Sequence, residues 1–262
     1  MERVRRPAAG RRAAVLLVLA ACAVLPALAG EPPRRTKLSL ARRQLEIDGR
    51  TILYYEARPR GEGTWPAVIL AHDSMGVDKE FTAVADRLAA EGFLVLAPDL
   101  YRGRMAQDAD KGRELAILLD THEAFAIISA LAAHLKFLPE VGDHRVGLVG
   151  LGIGGHVALE GGGASTDLSA VVTACARPTT NVEDLRRIGV PILAVYGEKD
   201  EAVTQQEIEA FRSALSLSGR TATVTAYPGE GRDLMKAPVE GQQDAAAGQA
   251  WAAMIAFLRS HL

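Results

Sequence analysis

The sequence predicts an α/β domain built on a mostly parallel central sheet with helices on both faces. Two observations carry this expectation. Short apolar runs of strand length recur at 66–71, 93–97, 145–150, 169–175, 191–196 and 221–227, the pattern of strands buried on both faces. Helix-like segments separate them, and regular alternation of strand and helix implies parallel strands joined by crossover helices.

Residues 43–48 and 51–57 are β-rich and flank Asp48-Gly49-Arg50, which predicts a hairpin turning on the glycine. Phe81, Val84, Ala85 and Leu88 follow the first buried strand at helical spacing. A long helical stretch is expected from about 110 to 136, with Ile128, Leu131 and Leu135 on one face. Thr204 with Glu207 forms a capping box ahead of Ile208, Phe211 and Leu215, and Trp251, Met254, Ile255 and Leu258 mark a final amphipathic helix.

The first 29 residues are set apart from this domain. Arg3, Arg5, Arg6, Arg11 and Arg12 precede an apolar run from Ala13 to Leu25, and Ala27-Leu28-Ala29 supplies small residues suited to cleavage before Gly30. The expectation is a signal peptide over 1–29, a single domain over 30–262, and a periplasmic or secreted protein without stable membrane insertion after cleavage. An uncleaved anchor, lipoprotein processing at Cys22 and twin-arginine export through Arg11-Arg12 are the weaker alternatives. Five Arg and one Glu leave with the leader, so 30 basic and 32 acidic residues become 25 and 31, net −6. That balance argues against a nucleic-acid partner. Cys175 is then the remaining cysteine, which excludes an internal disulfide, and it reads as a small buried residue on a strand.

In a parallel sheet the chemistry gathers at the carboxyl ends of the strands. The segments at those ends are His72-Asp73-Ser74-Met75-Gly76, Pro98-Asp99-Leu100-Tyr101-Arg102-Gly103, Gly150-Leu-Gly152-Ile-Gly-Gly155, Gly197-Glu-Lys-Asp200 and Tyr227-Pro-Gly-Glu-Gly-Arg232. Together with Ala85-Asp-Arg-Leu-Ala-Ala-Glu-Gly-Phe-Leu-Val-Leu-Ala-Pro-Asp-Leu-Tyr-Arg-Gly103, they make the chain resemble the dienelactone hydrolase family of α/β-hydrolases over most of 45–260. The resemblance implies a nucleophile elbow at 150–155, a strained strand-to-helix turn that aims its central side chain into the pocket.

Family members carry Cys or Ser at the position of Gly152, Asp at that of Asp200 and His at that of Arg232. Here Asp200 alone matches. Gly152 has nothing to attack with, and a guanidinium stays protonated and cannot act as the base. The resemblance further implies an oxyanion hole from the backbone near Ser74 or Met75 and at Ile153, and substrate-binding cations at Arg102 and Lys236. Asp73 falls where the family has a Glu near the nucleophile, with no evident task here. Arg232 is expected to pair with Asp200.

No recognisable group is expected to supply the missing chemistry. His72, Asp73 and Ser74 are adjacent on an extended segment and point in alternating directions, so they cannot form a relay. His156 lies one turn into the helix after the elbow, with packing or surface as its expected role. His122, His134, His144 and His261 carry no signal, and no His, Cys or carboxylate set has metal-ligand spacing. The expectation is an exported, catalytically silent member of the family that binds a small carboxylate or other anion, without cofactor or metal. Two readings stay beside it: an active ester or lactone hydrolase with an unrecognised nucleophile, and a dinucleotide-binding oxidoreductase using Gly150-x-Gly152-x-x-Gly155, with Arg177 near a 2′-phosphate.

Overall fold

A computed structural model describes residues 37–47, 49–162, 165–236 and 245–262. The leader expected at 1–29, with Cys22, lies outside the described residues, as does Asp48 of the hairpin turn. The chain forms β1 (Leu38–Ile47), β2 (Arg50–Pro59), β3 (Ala67–Ala71), α1 (Lys79–Ala90), β4 (Leu94–Pro98), α2 (Ala109–Ile117), α3 (Thr121–Lys136), β5 (Val146–Leu151), α4 (Ile153–Gly161), β6 (Leu168–Ala174), α5 (Val182–Arg187), β7 (Ile192–Gly197), α6 (Gln205–Ser218), β8 (Ala222–Tyr227) and α7 (Ala246–His261).

The eight strands form one sheet in the order β1-β2-β4-β3-β5-β6-β7-β8. β2 runs antiparallel to β1 and β4, and every other pairing is parallel. The mostly parallel α/β fold expected from the apolar runs is therefore the one observed. Side chains alternate across the sheet as strand geometry requires. Val68 and Leu70 of β3 pack with Phe81 and Leu88 of α1 and Trp251 and Met254 of α7, whereas Ile69 packs with Ile128 and Leu131 of α3 on the other face. The capping box at Thr204 is present and starts α6.

The long helix expected over 110–136 is two helices. α2 closes at Leu118, and the Asp120 side chain accepts the Glu123 N–H to start α3. An aspartate placed to cap satisfies the orphan donors of a new helix start, and the periodicity on its two sides hid the break. By length and hydropathy the pair could cross a membrane only as a span bent by 85°. The inner face of α3 is instead packed on the sheet.

The topology positions the site. From β3 the chain crosses to β4 on one side and then to β5 on the other, so the winding reverses around β3. Such a switch opens a crevice at the carboxyl ends of the two flanking strands. The residues that leave β3 and β5 at that end are His72-Asp73 and Gly152.

Candidate active site

Gly152 sits between β5 and α4 with φ 53° and ψ −115°, a backbone region that side-chain-bearing residues reach only under strain. Its N–H donates to the Ala174 carbonyl of the neighbouring strand, and its own carbonyl accepts from Gly155 and His156, which begins α4 in one step. The flanking glycines are there for close approach. A Cβ on Gly150 would meet the Gly154 carbonyl oxygen at 2.2 Å, one on Gly154 the Ala71 and His72 carbonyls at 2.4 Å, and one on Gly155 the Thr173 hydroxyl at 2.5 Å. The glycine spacing that also fits a dinucleotide motif is thus accounted for by the packing of α4 against β3, β5 and β6.

A Cβ on Gly152 would lie 3.2 Å from Asp73 Cβ and 3.3 Å from Arg232 Nη2. The structure therefore brings Arg232 over the elbow, beside the place a nucleophile would occupy. It does not bring it to Asp200 as expected. Among the described residues the guanidinium makes no ion pair or hydrogen bond, and the side chain is exposed. Asp200 is buried: its Oδ1 accepts the Ala202 N–H at 2.9 Å, and its Oδ2 is buried without a partner. The solvated guanidinium over the elbow has no dehydration cost to recover, whereas pairing at buried Asp200 would require stripping its water.

Asp73, which had no evident task, holds Lys236. Lys236 Nζ lies 2.6 Å from Asp73 Oδ2 with both side chains largely buried, and Glu80 stands 3.8 Å away at the exposed edge. Burial alone would lower the Lys236 pKa, but the Asp73 carboxylate together with Asp78 and Asp233 more than offsets this and holds it above its usual value. Lys236 is thus a neutralised cation in the wall of the site. Asp73 Oδ1 also accepts the Met75 N–H at 2.8 Å. One backbone donor expected in the oxyanion hole is therefore already engaged, while the N-terminus of α4 at Ile153 has no side-chain cap.

Arg102 is paired outside the cleft. It occupies a left-handed turn residue at φ 54°, pairs with Glu123 on α3, and is absent from the walls of the cleft. The sharp turn after β4, in which Asp99 accepts from Tyr101 and Gly103, directs it outward. The cleft, of about 970 Å³, is lined by Asp73, Ser74, Met75, Gly152, Ile153, His156, Cys175, Asp200, Arg232 and Lys236, and by one face of α2. That face, Ala109, Arg113, Ala116 and Ile117, was not anticipated, although its i, i+4, i+7, i+8 spacing is legible in the sequence.

His72, His156 and Cys175 are the remaining candidates for acid–base or nucleophilic work. His72 is fully buried. Its Nδ1 donates to the Asp73 carbonyl at 2.7 Å and its Nε2 accepts the Leu100 N–H at 3.1 Å, so both nitrogens are committed to a neutral ring that ties the β3 end to the β4 end. His156 lines the cleft but has Nε2 3.3 Å from Glu160. Cys175 follows β6 in a left-handed conformation at φ 51°, and its thiol faces the Gly231 carbonyl at 3.7 Å. Burial and the Asp200 carboxylate push its pKa up to about 12, which keeps it a protonated thiol and a poor nucleophile. Among the described residues no cluster of three His, Cys, Asp or Glu could hold a metal ion.

The winding of the sheet, the strained turn between β5 and α4 and the cleft above it define an α/β-hydrolase. The chain belongs to the dienelactone hydrolase family, whose profile it matches over residues 52–262. It is similar to protein usf of Aquifex pyrophilus, 28% identical over 227 residues that cover 84% of this chain and 97% of the relative. Two solved structures share the fold. A dienelactone hydrolase-like promiscuous phosphotriesterase from metagenomic libraries superposes with a TM-score of 0.72 at 20% identity, covering 86% of this chain and 98% of the other. The dienelactone hydrolase of Anabaena variabilis gives 0.66 at 18% identity, covering 86% and 99%.

Proposed function

We propose that this chain is an exported dienelactone hydrolase-like protein that has given up hydrolysis and uses the vacated site to bind a small anion. The observation that carries the reading is Gly152 in the elbow conformation with the Arg232 guanidinium 3.3 Å from where its Cβ would stand. A triad needs a nucleophile and an imidazole that takes its proton. Here the first is a hydrogen atom and the second a permanent cation. The cleft imidazole, His156, faces Glu160, and the cleft thiol, Cys175, stays protonated.

What the site offers is attraction for negative charge. The uncapped start of α4 presents backbone N–H groups and the positive end of the helix dipole, and Arg232 stands over it without a partner among the described residues. A small carboxylate seated on Gly152 satisfies both. Calorimetric titration of small carboxylates tests the reading. Binding is expected to vanish in Arg232→Ala and to persist or strengthen in Asp200→Asn, which removes an opposing charge. An Arg232→Ala protein that binds as tightly as the native chain overturns it.

A further inference from the structure

The chemistry of that ligand is constrained by Asp200, and the constraint rests on the anion-binding reading above. Asp200 is 6% exposed and lines the same cleft as Gly152 and Arg232. One carboxyl oxygen is held by Ala202, and the other, Oδ2, is buried with no hydrogen-bond partner among the described residues. A buried acceptor without a donor is costly to keep unless something supplies one. No internal donor among the described residues reaches it. The Cys175 thiol points to the Gly231 carbonyl, and Arg232 lies over the elbow. His156, on the same cleft wall, has a second buried, unpartnered atom in Nδ1.

The cleft is also mixed in sign. Lys199 and Arg232 stand in its walls with Glu201 and Asp233, so it is no uniform trap for negative charge. From these observations we infer that the ligand is a carboxylate carrying a hydrogen-bond donor, a hydroxy or amino acid. Its carboxylate meets the start of α4 and Arg232, and its hydroxyl or ammonium donates to Asp200 Oδ2.

The matched probes are butyrate, 3-hydroxybutyrate and 3-aminobutyrate, titrated calorimetrically into the native protein. At least one donor-bearing probe is expected to bind about tenfold or more tightly than butyrate. Whichever donor gains more tells a hydroxy acid from an amino acid. In Asp200→Ala that preference should disappear while butyrate binds as well as before or better. Equal affinities for all three probes in the native protein overturn the inference without any variant having to fold, and so does a preference that survives in Asp200→Ala. If none of the three probes binds, the anion-binding reading fails and this inference falls with it, whereas binding of all three without discrimination removes this inference alone.

Discussion

Lys236 Nζ lies 2.6 Å from Asp73 Oδ2, with the two side chains only 8% and 11% exposed. The pair joins the turn after β3 to the loop after β8 in the wall of the cleft. A buried ion pair adds little over an apolar replacement, but breaking one partner leaves a charge stranded. Asp73→Ala is therefore expected to destabilise the fold by roughly 3–5 kcal/mol, with the lost Met75 hydrogen bond adding to it. The double variant Asp73→Ala, Lys236→Met should recover much of that loss. Urea denaturation of the three proteins checks this, and a single variant no less stable than the double contradicts it.

Gly152 should resist any side chain. At φ 53° and with Asp73 Cβ 3.2 Å from the position of an added Cβ, Gly152→Ala is expected to cost on the order of 1–3 kcal/mol in backbone strain. Gly189 is the proper comparison, since it has ordinary φ and nothing within 4 Å of an added Cβ, whereas Gly219 is itself left-handed at φ 69°. Equal melting temperatures for Gly152→Ala and Gly189→Ala would show that the turn is relaxed.

Acid should weaken the fold through His72. Burial depresses its pKa below 6.5 in the native state, so the unfolded chain takes up a proton there that the native chain refuses. The stabilising effect is complete above 6.5 and falls away as the pH drops below it toward the native pKa. Unfolding free energies measured between pH 7.5 and 5 should decline more steeply for the native protein than for His72→Gln. Parallel profiles would show that His72 titrates normally.

Cys175 should be silent in the folded protein. Its thiol is buried with a pKa pushed up to about 12, so iodoacetamide should label Cys175 only after denaturation. Rapid labelling of the native form would reopen it as a nucleophile.

The sequence disclosed the fold more fully than the site. Apolar runs report burial on both faces of a sheet directly, and the elbow was legible because the close approach of α4 admits only glycine at 150, 154 and 155. The Asp73–Lys236 pair was not legible, because its partners are 163 positions apart and no local pattern announces it. The resemblance placed Arg102 in the cleft by alignment of a loop, but its φ and its pairing with Glu123 are set by the local turn. Arg232 was expected on Asp200 because charge type alone cannot reveal that one partner is solvated and the other buried.

The most direct test of the account is turnover. The protein should hydrolyse p-nitrophenyl acetate and simple lactones no faster than an Arg232→Ala, Asp200→Ala control, because Gly152 supplies no nucleophile and Arg232 no base. Clear turnover by the native chain that disappears in Ser74→Ala or Cys175→Ala would contradict the account and identify the group that had replaced the lost nucleophile.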